Sequence, residues 1–235
     1  MEWTQFSIDN PELLKKQFLI WASNFSVLTL LDSNGILSAP ASEYDWILAV
    51  DSLEEIQKYE QEEPFQAWQN FITEKKNTWL FGWIHYDLKN CIEDLNSIHS
   101  STIPQTPLYF YIPRYVILCE GNIVKINRNY PEAAWIFSQI QGIEIPKPSQ
   151  AFNFEIHKEL PRNLYLEQVR ETQRKIKEGI VYEVNLCREI AGRVSLKNLH
   201  LHYLELTDKA KSPFSVYFKR DKYHVLCFSP ERFLS

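Results

Sequence analysis

Apolar positions along the chain fall into two alternating rhythms, one of about 3.6 residues and one of 2, and the changes between them mark the elements. A weak alternation over 2–8 is followed by Asn10-Pro11, which opens a helix carrying Leu14, Phe18 and Trp21 at helical spacing. The run 25–31 is mostly apolar and bounded by polar residues, the mark of a buried strand, and it closes in Asn34-Gly35, a strong turn signal. A second buried strand is predicted over 44–50. The acidic, mostly polar stretch 51–63 reads as a solvated helical face. A helix over 64–75 places Phe65, Trp68 and Phe71 on one side, and 79–86 is an aromatic-rich strand ending in a turn at Asp87. Residues 96–107, rich in Ser, Thr and Pro, read as loop. Glu120-Gly-Asn122 joins two strands, 108–119 and 123–127, and a helix is predicted over 130–141.

The stretch 142–150, with Pro146 and Pro148, is the candidate linker, dividing the chain into regions 1–145 and 150–235. Beyond it Asn163 is placed to cap a helix that carries Tyr165, Val169, Thr172 and Ile176 and stops at Gly179. One face of that helix is expected to be buried. After the glycine the period drops to 2, predicting a strand over 181–186 that contains Glu183. A helix beginning near His200 separates the rings of His200 and His202, which argues against a zinc site there. The runs 214–219 and 222–228 form a hairpin about Arg220-Asp221, delivering Ser229-Pro-Glu-Arg232 at the end of a sheet. Hairpins mixed with helices point to an α+β fold with antiparallel sheets.

Composition narrows the function classes. In 235 residues, 45% hydrophobic and 14% aromatic, there is enough apolar mass for a sizeable core. A net charge of −5 with no basic stripe argues against a nucleic-acid partner. The longest apolar run, 18–31, is broken by polar residues and too short for a bilayer, and the N-terminus lacks a signal-like basic region, so a cytoplasmic protein is expected. Cys91, Cys119, Cys187 and Cys227 show no paired spacing and read as free thiols. Six glycines, none in a G-x-G-x-x-G arrangement, argue against a dinucleotide or P-loop site.

Taken alone, Ser229-Pro230-Glu231 is an ordinary helix start, with Ser229 as cap. Three segments in register change its weight: Gly179-Ile-Val-Tyr-Glu-Val-Asn-Leu186, Lys211-Ser-Pro-Phe-Ser-Val-Tyr-Phe218 and Phe228-Ser-Pro-Glu-Arg-Phe233. Together they resemble the first conserved block of the chorismate-utilising enzymes, a family with anthranilate synthase, aminodeoxychorismate synthase, isochorismate synthase and salicylate synthase branches. Pro213-Phe214-Ser215 is similar to the aminodeoxychorismate branch, where the anthranilate branch usually has Tyr-Met. Trp79-Leu-Phe-Gly-Trp-Ile-His-Tyr-Asp-Leu-Lys-Asn90 resembles the family's glycine-aromatic-Tyr-Asp signature.

The resemblance implies a sandwich of antiparallel sheets and helices, incomplete in this chain. It implies component I of aminodeoxychorismate synthase, replacing the 4-hydroxyl of chorismate with ammonia from a glutamine amidotransferase partner on the route to folate. Anthranilate synthase component I is the alternative, and a non-catalytic tryptophan-binding domain the second. Glu231 matches the proton donor; to protonate a departing hydroxyl near neutral pH a carboxylic acid must hold its proton tightly, which burial beside Phe228 and Phe233 would supply. Leu30-Leu-Asp-Ser33 resembles a segment of the family's tryptophan pocket, so Ser33, Tyr44, Pro213, Phe214 and Ser215 are the expected effector site for L-tryptophan. Ser33 is equally an ordinary turn residue before Asn-Gly.

Chorismate carries two carboxylates, so cationic groups or a divalent metal are required, and the resemblance implies Mg2+. Its glutamate ligands, and the Pro-Ile-Lys-Gly-Thr lysine that serves as nucleophile in the aminodeoxychorismate branch, correspond to positions past Ser235. The chain is therefore expected to be an N-terminal portion that does not turn over chorismate alone. Two residues depart from the pattern. Glu183 stands where isochorismate-type enzymes have lysine, which argues against that activity, and Asp32 replaces the usual glutamate of the pocket segment.

Overall fold

The computed structural model describes residues 2–36, 43–58, 63–95, 106–146 and 154–232. They form two compact units, one of Met1–Lys147 with Leu199–Ser235 and one of Pro148–Asn198. The first unit begins with β1 (Thr4–Ser7), α1 (Pro11–Ala22), β2 (Val27–Asp32), β3 (Trp46–Lys58), α2 (Pro64–Glu74) and β4 (Phe81–Ile84). After a 3-10 turn at Tyr86–Cys91 come β5 (Leu108–Glu120), β6 (Ile123–Ile126) and α3 (Tyr130–Gln141). The second unit holds β7 (Phe154–Glu159), α4 (Arg162–Lys177) and β8 (Ile190–Val194). The chain re-enters the first with α5 (Leu199–Ala210), β9 (Phe214–Arg220) and β10 (Tyr223–Ser229).

Eight strands of the first unit make one antiparallel sheet, ordered β1-β6-β5-β3-β2-β9-β10, with β4 paired to β5. The fold class is α+β, as the rhythms imply. One sheet face carries Leu28, Leu30, Trp46, Leu48, Val50, Ile117 and Tyr217, packed with Phe18 and Leu19 of α1, Ile136 and Ile140 of α3, and Leu201 and Leu204 of α5. The other face carries Val27, Ala49, Val116, Leu118 and Phe218 beside the aromatic side chains of β4 and β5. Period 2 accounts for the division, since neighbouring residues of one strand must serve opposite faces.

Several expectations are corrected. Residues 51–58 are not helical but continue β3. The ladder to β5 absorbs the polar run through an irregularity between Ser52 and Glu54, next to Asp51 at φ 60°, and resumes as far as Lys58↔Leu108. Backbone pairing across an already long β5 wins there over a helical pattern that buries nothing. The expected strand 181–186 has no regular structure, and the strand of that region is β8, paired with β7. Helix α4 is capped at Pro161 rather than Asn163, and no residue of it is buried. Its stop is as expected: Gly179 takes φ 73°, and Gly179 N and Ile180 N donate to the Ile176 and Lys175 carbonyls.

The division at the linker is also redrawn. Residues 199–235 do not stay with 150–198, because β9 pairs along β2, from Val27↔Arg220 to Asp32↔Ser215, and closes the first unit's sheet. The loop expected over 96–107 lies mostly outside the described residues, as does part of the linker.

Candidate effector pocket and the end of β10

Four adjacent strands finish at one end of the sheet. Trp46 begins β3, Asp32 ends β2, Phe214 begins β9 and Ser229 ends β10; the register Asp32↔Trp46, Asp32↔Ser215 and Ser229↔Phe214 sets them side by side. A cavity of about 250 Å³ lies at that end. Its apolar floor is one cross-strand row, Ile47, Leu31 and Val216, joined by Leu31↔Ile47 and Leu31↔Val216. Ser33, Tyr44, Pro213, Phe214 and Ser215, the five residues singled out in the sequence, all line it. So do Asp32 and Asp45, which belong to the segments matched by resemblance, and Glu43, Trp46 and Arg232, which were not assigned to it. The signal that could have found Leu31, Ile47 and Val216 was the period of 2, which aims them to the same side as Ser33, Asp45 and Phe214.

The walls are held by short polar bonds. Ser33 N donates to Asp45 O at 2.9 Å, and Gly121 N donates to Asp45 Oδ2 at 2.7 Å. Asn34, at φ 52°, turns the chain out of β2; its N donates to Asp32 Oδ1 at 2.9 Å, and its Nδ2 donates to Ser212 O at 2.7 Å and Ser215 Oγ at 3.0 Å. Thr207 Oγ1 of α5 donates to Asn34 Oδ1 at 3.3 Å. One amide thus ties three segments together. Ser33 Oγ is buried in this wall with no hydrogen-bond partner among the described residues, a cost a native protein seldom bears without a ligand or water to relieve it.

Beneath the wall, Asp32 is paired with Lys15 of α1 at 2.9 Å, and Lys15 also meets Glu12 at 2.9 Å. Both charged side chains of the Lys15–Asp32 pair are almost fully buried, at 3% and 1% exposure. Burial favours loss of the Lys15 proton, yet Asp32 and Glu12 outweigh it and hold the ammonium above the ordinary lysine range. Burial lifts the Asp32 carboxyl above the usual carboxylate range, against the pull of Lys15.

Glu231 lies in the turn after β10 and is exposed. Its N donates to Ser229 Oγ at 3.2 Å, and Ser229 Oγ donates back to Glu231 O at 2.8 Å. Ser229 therefore closes a local turn instead of capping a helix. The apolar burial expected for this carboxyl is not supplied by the described residues, and Phe233 lies outside them. Strand β10 is the margin of the described sheet, with one side of its backbone unpaired among the described residues. Arg232 turns to the cavity, its guanidinium 5.3 Å from the Phe214 ring centroid.

The family model for chorismate binding enzymes matches residues 21–235. The chain belongs to the chorismate-binding enzyme family. Among solved structures it is similar to anthranilate synthase component I from Streptococcus pneumoniae TIGR4, at 16% identity and a TM-score of 0.58, over 83% of this chain and 52% of that one. It is also similar to the menaquinone-specific isochorismate synthase from Escherichia coli, at 10% identity and a TM-score of 0.50, over 98% of this chain and 50% of that one. Identities this low speak to fold alone. The chain spans about half the length of these solved structures. No curated protein sequence matches it.

For a chorismate-binding enzyme, a divalent cation is the expected aid with the substrate's carboxylates. Among the described residues no three His, Cys, Asp or Glu side chains come together in a form that could hold one, so these residues do not fit Mg2+. Cys119, Cys187 and Cys227 are free thiols, and no helix among the described residues is long and apolar enough to cross a membrane.

Proposed function

We propose that the whole protein is component I of an aminodeoxychorismate synthase, converting chorismate and ammonia to 4-amino-4-deoxychorismate for folate synthesis, with Mg2+ and with ammonia from a glutamine amidotransferase. The observation that carries this reading is the convergence of Ser33, Tyr44, Pro213, Phe214 and Ser215 on one cavity. A resemblance in three separate segments becomes one apolar slot of a size suited to an indole, with polar atoms at its rim. Pro213-Phe214-Ser215 favours the aminodeoxychorismate branch over anthranilate synthase component I, the alternative.

In this reading L-tryptophan occupies the cavity as effector and Glu231 is the proton donor to the departing hydroxyl. Its placement suits that task in one respect. A rigid strand ends beside it, and the turn fixed by Ser229 leaves the carboxyl accessible. Walls that exclude water and bind the substrate carboxylates would come from the rest of the whole protein.

Product analysis of the whole protein with chorismate, ammonia and Mg2+ tests the reaction. Non-fluorescent 4-amino-4-deoxychorismate is expected; anthranilate would establish the alternative. Glu231→Gln should lower kcat by about 10²- to 10⁴-fold. A polypeptide of residues 1–235 is expected to yield neither product. Titrating it with L-tryptophan addresses the second alternative, a tryptophan-binding domain without catalysis: stabilisation of about 2.7 kcal/mol is expected at a hundred times Kd. A thermal shift with no turnover in the whole protein would favour that alternative.

A further inference from the structure

We propose that an apolar cleft at the other end of the β9–β10 hairpin is a second binding site, taking an aromatic carboxylate of one or two rings. It is separate from the cavity at Ser33 and Phe214, and it stands or falls without the reading given to that cavity.

The cleft has a volume of about 300 Å³ and lies between the end of β4 and the hairpin, lined by Trp83, His85, Tyr86, Phe218, Tyr223 and Val225. The strand pairs Phe218↔Val225 and Arg220↔Tyr223 place it toward the hairpin turn, whereas the first cavity lies where Ser229 meets Phe214. Its walls are fixed by bonds that need no ligand. Trp83 Nε1 donates to Thr106 O at 2.8 Å, and the Trp83 ring meets that of Phe218 edge-on, with 4.5 Å between centroids. Arg220, stacked 3.9 Å from the Tyr109 ring centroid, donates to Thr106 Oγ1 at 3.1 Å, and His85 N donates to Pro107 O at 2.7 Å. Rings held in this way form a slot for a planar apolar group and lose little freedom when it enters.

Charge at the mouth decides the head of the ligand. Among the described residues, none that lines the cleft is acidic. Two ammonium groups stand on its rings, Lys89 Nζ 4.9 Å from the Tyr86 centroid and Lys222 Nζ 5.5 Å from that of Tyr223. His85 adds a donor in either protonation state. When the ring is neutral, Nδ1 accepts from Asp87 N at 3.3 Å; when it is protonated, Nδ1 pairs with Asp87 Oδ2 at 3.2 Å. Nε2 carries a hydrogen in both cases. Asp87 itself is engaged by Lys89 at 3.6 Å as well as by His85. An apolar slot with cations and an N–H donor at its rim matches a flat body ending in a carboxylate, whereas an ammonium head would meet like charge.

Calorimetric titration of the 235-residue chain with 2-naphthoate and its uncharged counterpart 2-naphthamide tests the site. Naphthoate should bind more tightly than the amide. Val225→Glu, at an exposed position of the lining, places a carboxylate in the cleft and should weaken naphthoate about tenfold or more. Lys222→Gln, also exposed, should weaken naphthoate about two- to fivefold and leave the amide as it was. Phe214→Ala, in the first cavity, should leave both ligands unaffected. An unchanged melting temperature checks that each variant folds. Absence of binding at millimolar naphthoate, undiminished binding by Val225→Glu, or an equal loss from Phe214→Ala would overturn the site. An equal effect of Lys222→Gln on both ligands would overturn the choice of an anion. Binding by the 235-residue chain that the whole protein does not share would show that another segment of that protein fills the cleft, and would overturn it as a ligand site.

Discussion

Lys15 shows how much of the pocket's order depends on a residue outside its lining. Replacing it with methionine keeps the volume but leaves Asp32 buried without a counter-charge, a change that typically costs about 3–5 kcal/mol. Equilibrium urea unfolding should show that loss, and adding Asp32→Asn, which keeps an acceptor for Asn34 N, should recover more than half of it. Asn34 is the second such residue. Asn34→Gly keeps the positive φ yet removes the side-chain bonds to Ser212, Ser215 and Thr207, and a loss of about 1–3 kcal/mol is expected. His200 supplies a pH dependence. Burial, with Lys219, His224 and His202 nearby, pushes its pKa down to about 4, below its value near 6.5 in the unfolded chain. The folded form thus binds fewer protons between those values. The stability it contributes is complete above about pH 6.5 and is lost as pH falls toward 4, amounting to about 1–2 kcal/mol once its partial exposure is discounted. His200→Gln should flatten the melting-temperature profile in that window; an unchanged profile would refute the assignment.

At the scale of elements, the apolar rhythms locate the helices and hairpins of the first unit closely. Helix α3 coincides with its expected span, and α1 has Asn10 as its cap, accepting from Leu13 N. What they missed shares a physical cause. The end of β3 is polar, so its conformation depends on long-range pairing with β5 that no local window contains, whereas 181–186 alternates as a strand does but meets no partner strand among the described residues. A similar non-local demand falls on Gly82 of β4. A Cβ there would overlap the Tyr109 carbonyl oxygen and sit 2.7 Å from Phe110 Cα, with both contacts set by the β4–β5 ladder. Gly82→Ala should therefore strip β4 from the sheet, read as faster amide exchange over 81–84 and a lower melting temperature. At Gly35 a Cβ meets open space, and the cost of a substitution there is the strain of a φ of 70° rather than a clash.

For the molecule as a whole, the α+β class and the family were legible, because three motifs in order are a stronger signal than any one. The five residues that line the cavity were named through resemblance, and what the cavity binds is a proposal. From spacing alone, nothing joins Ser33 to Phe214; the β2–β9 ladder does that. The same ladder explains why the division at 145–150 does not separate the compact units. A chain stopped at Asn198 would lack α5, β9 and β10, and with them Leu201, Tyr203, Leu204 and Tyr217 of the main core. It is expected to lose cooperative unfolding and near-ultraviolet circular dichroism.

That ladder also fixes an order of events. During synthesis β2 emerges early, yet the neighbour on its outer side is not made until residues 214–220 leave the ribosome. Until then Val27, Leu28 and Leu30 belong to a strand with an open flank, and the nascent chain carries an adhesive edge that β9 later covers. Expression at reduced temperature or with added chaperones should raise the soluble yield, because what must be shielded is the interval before β9 arrives.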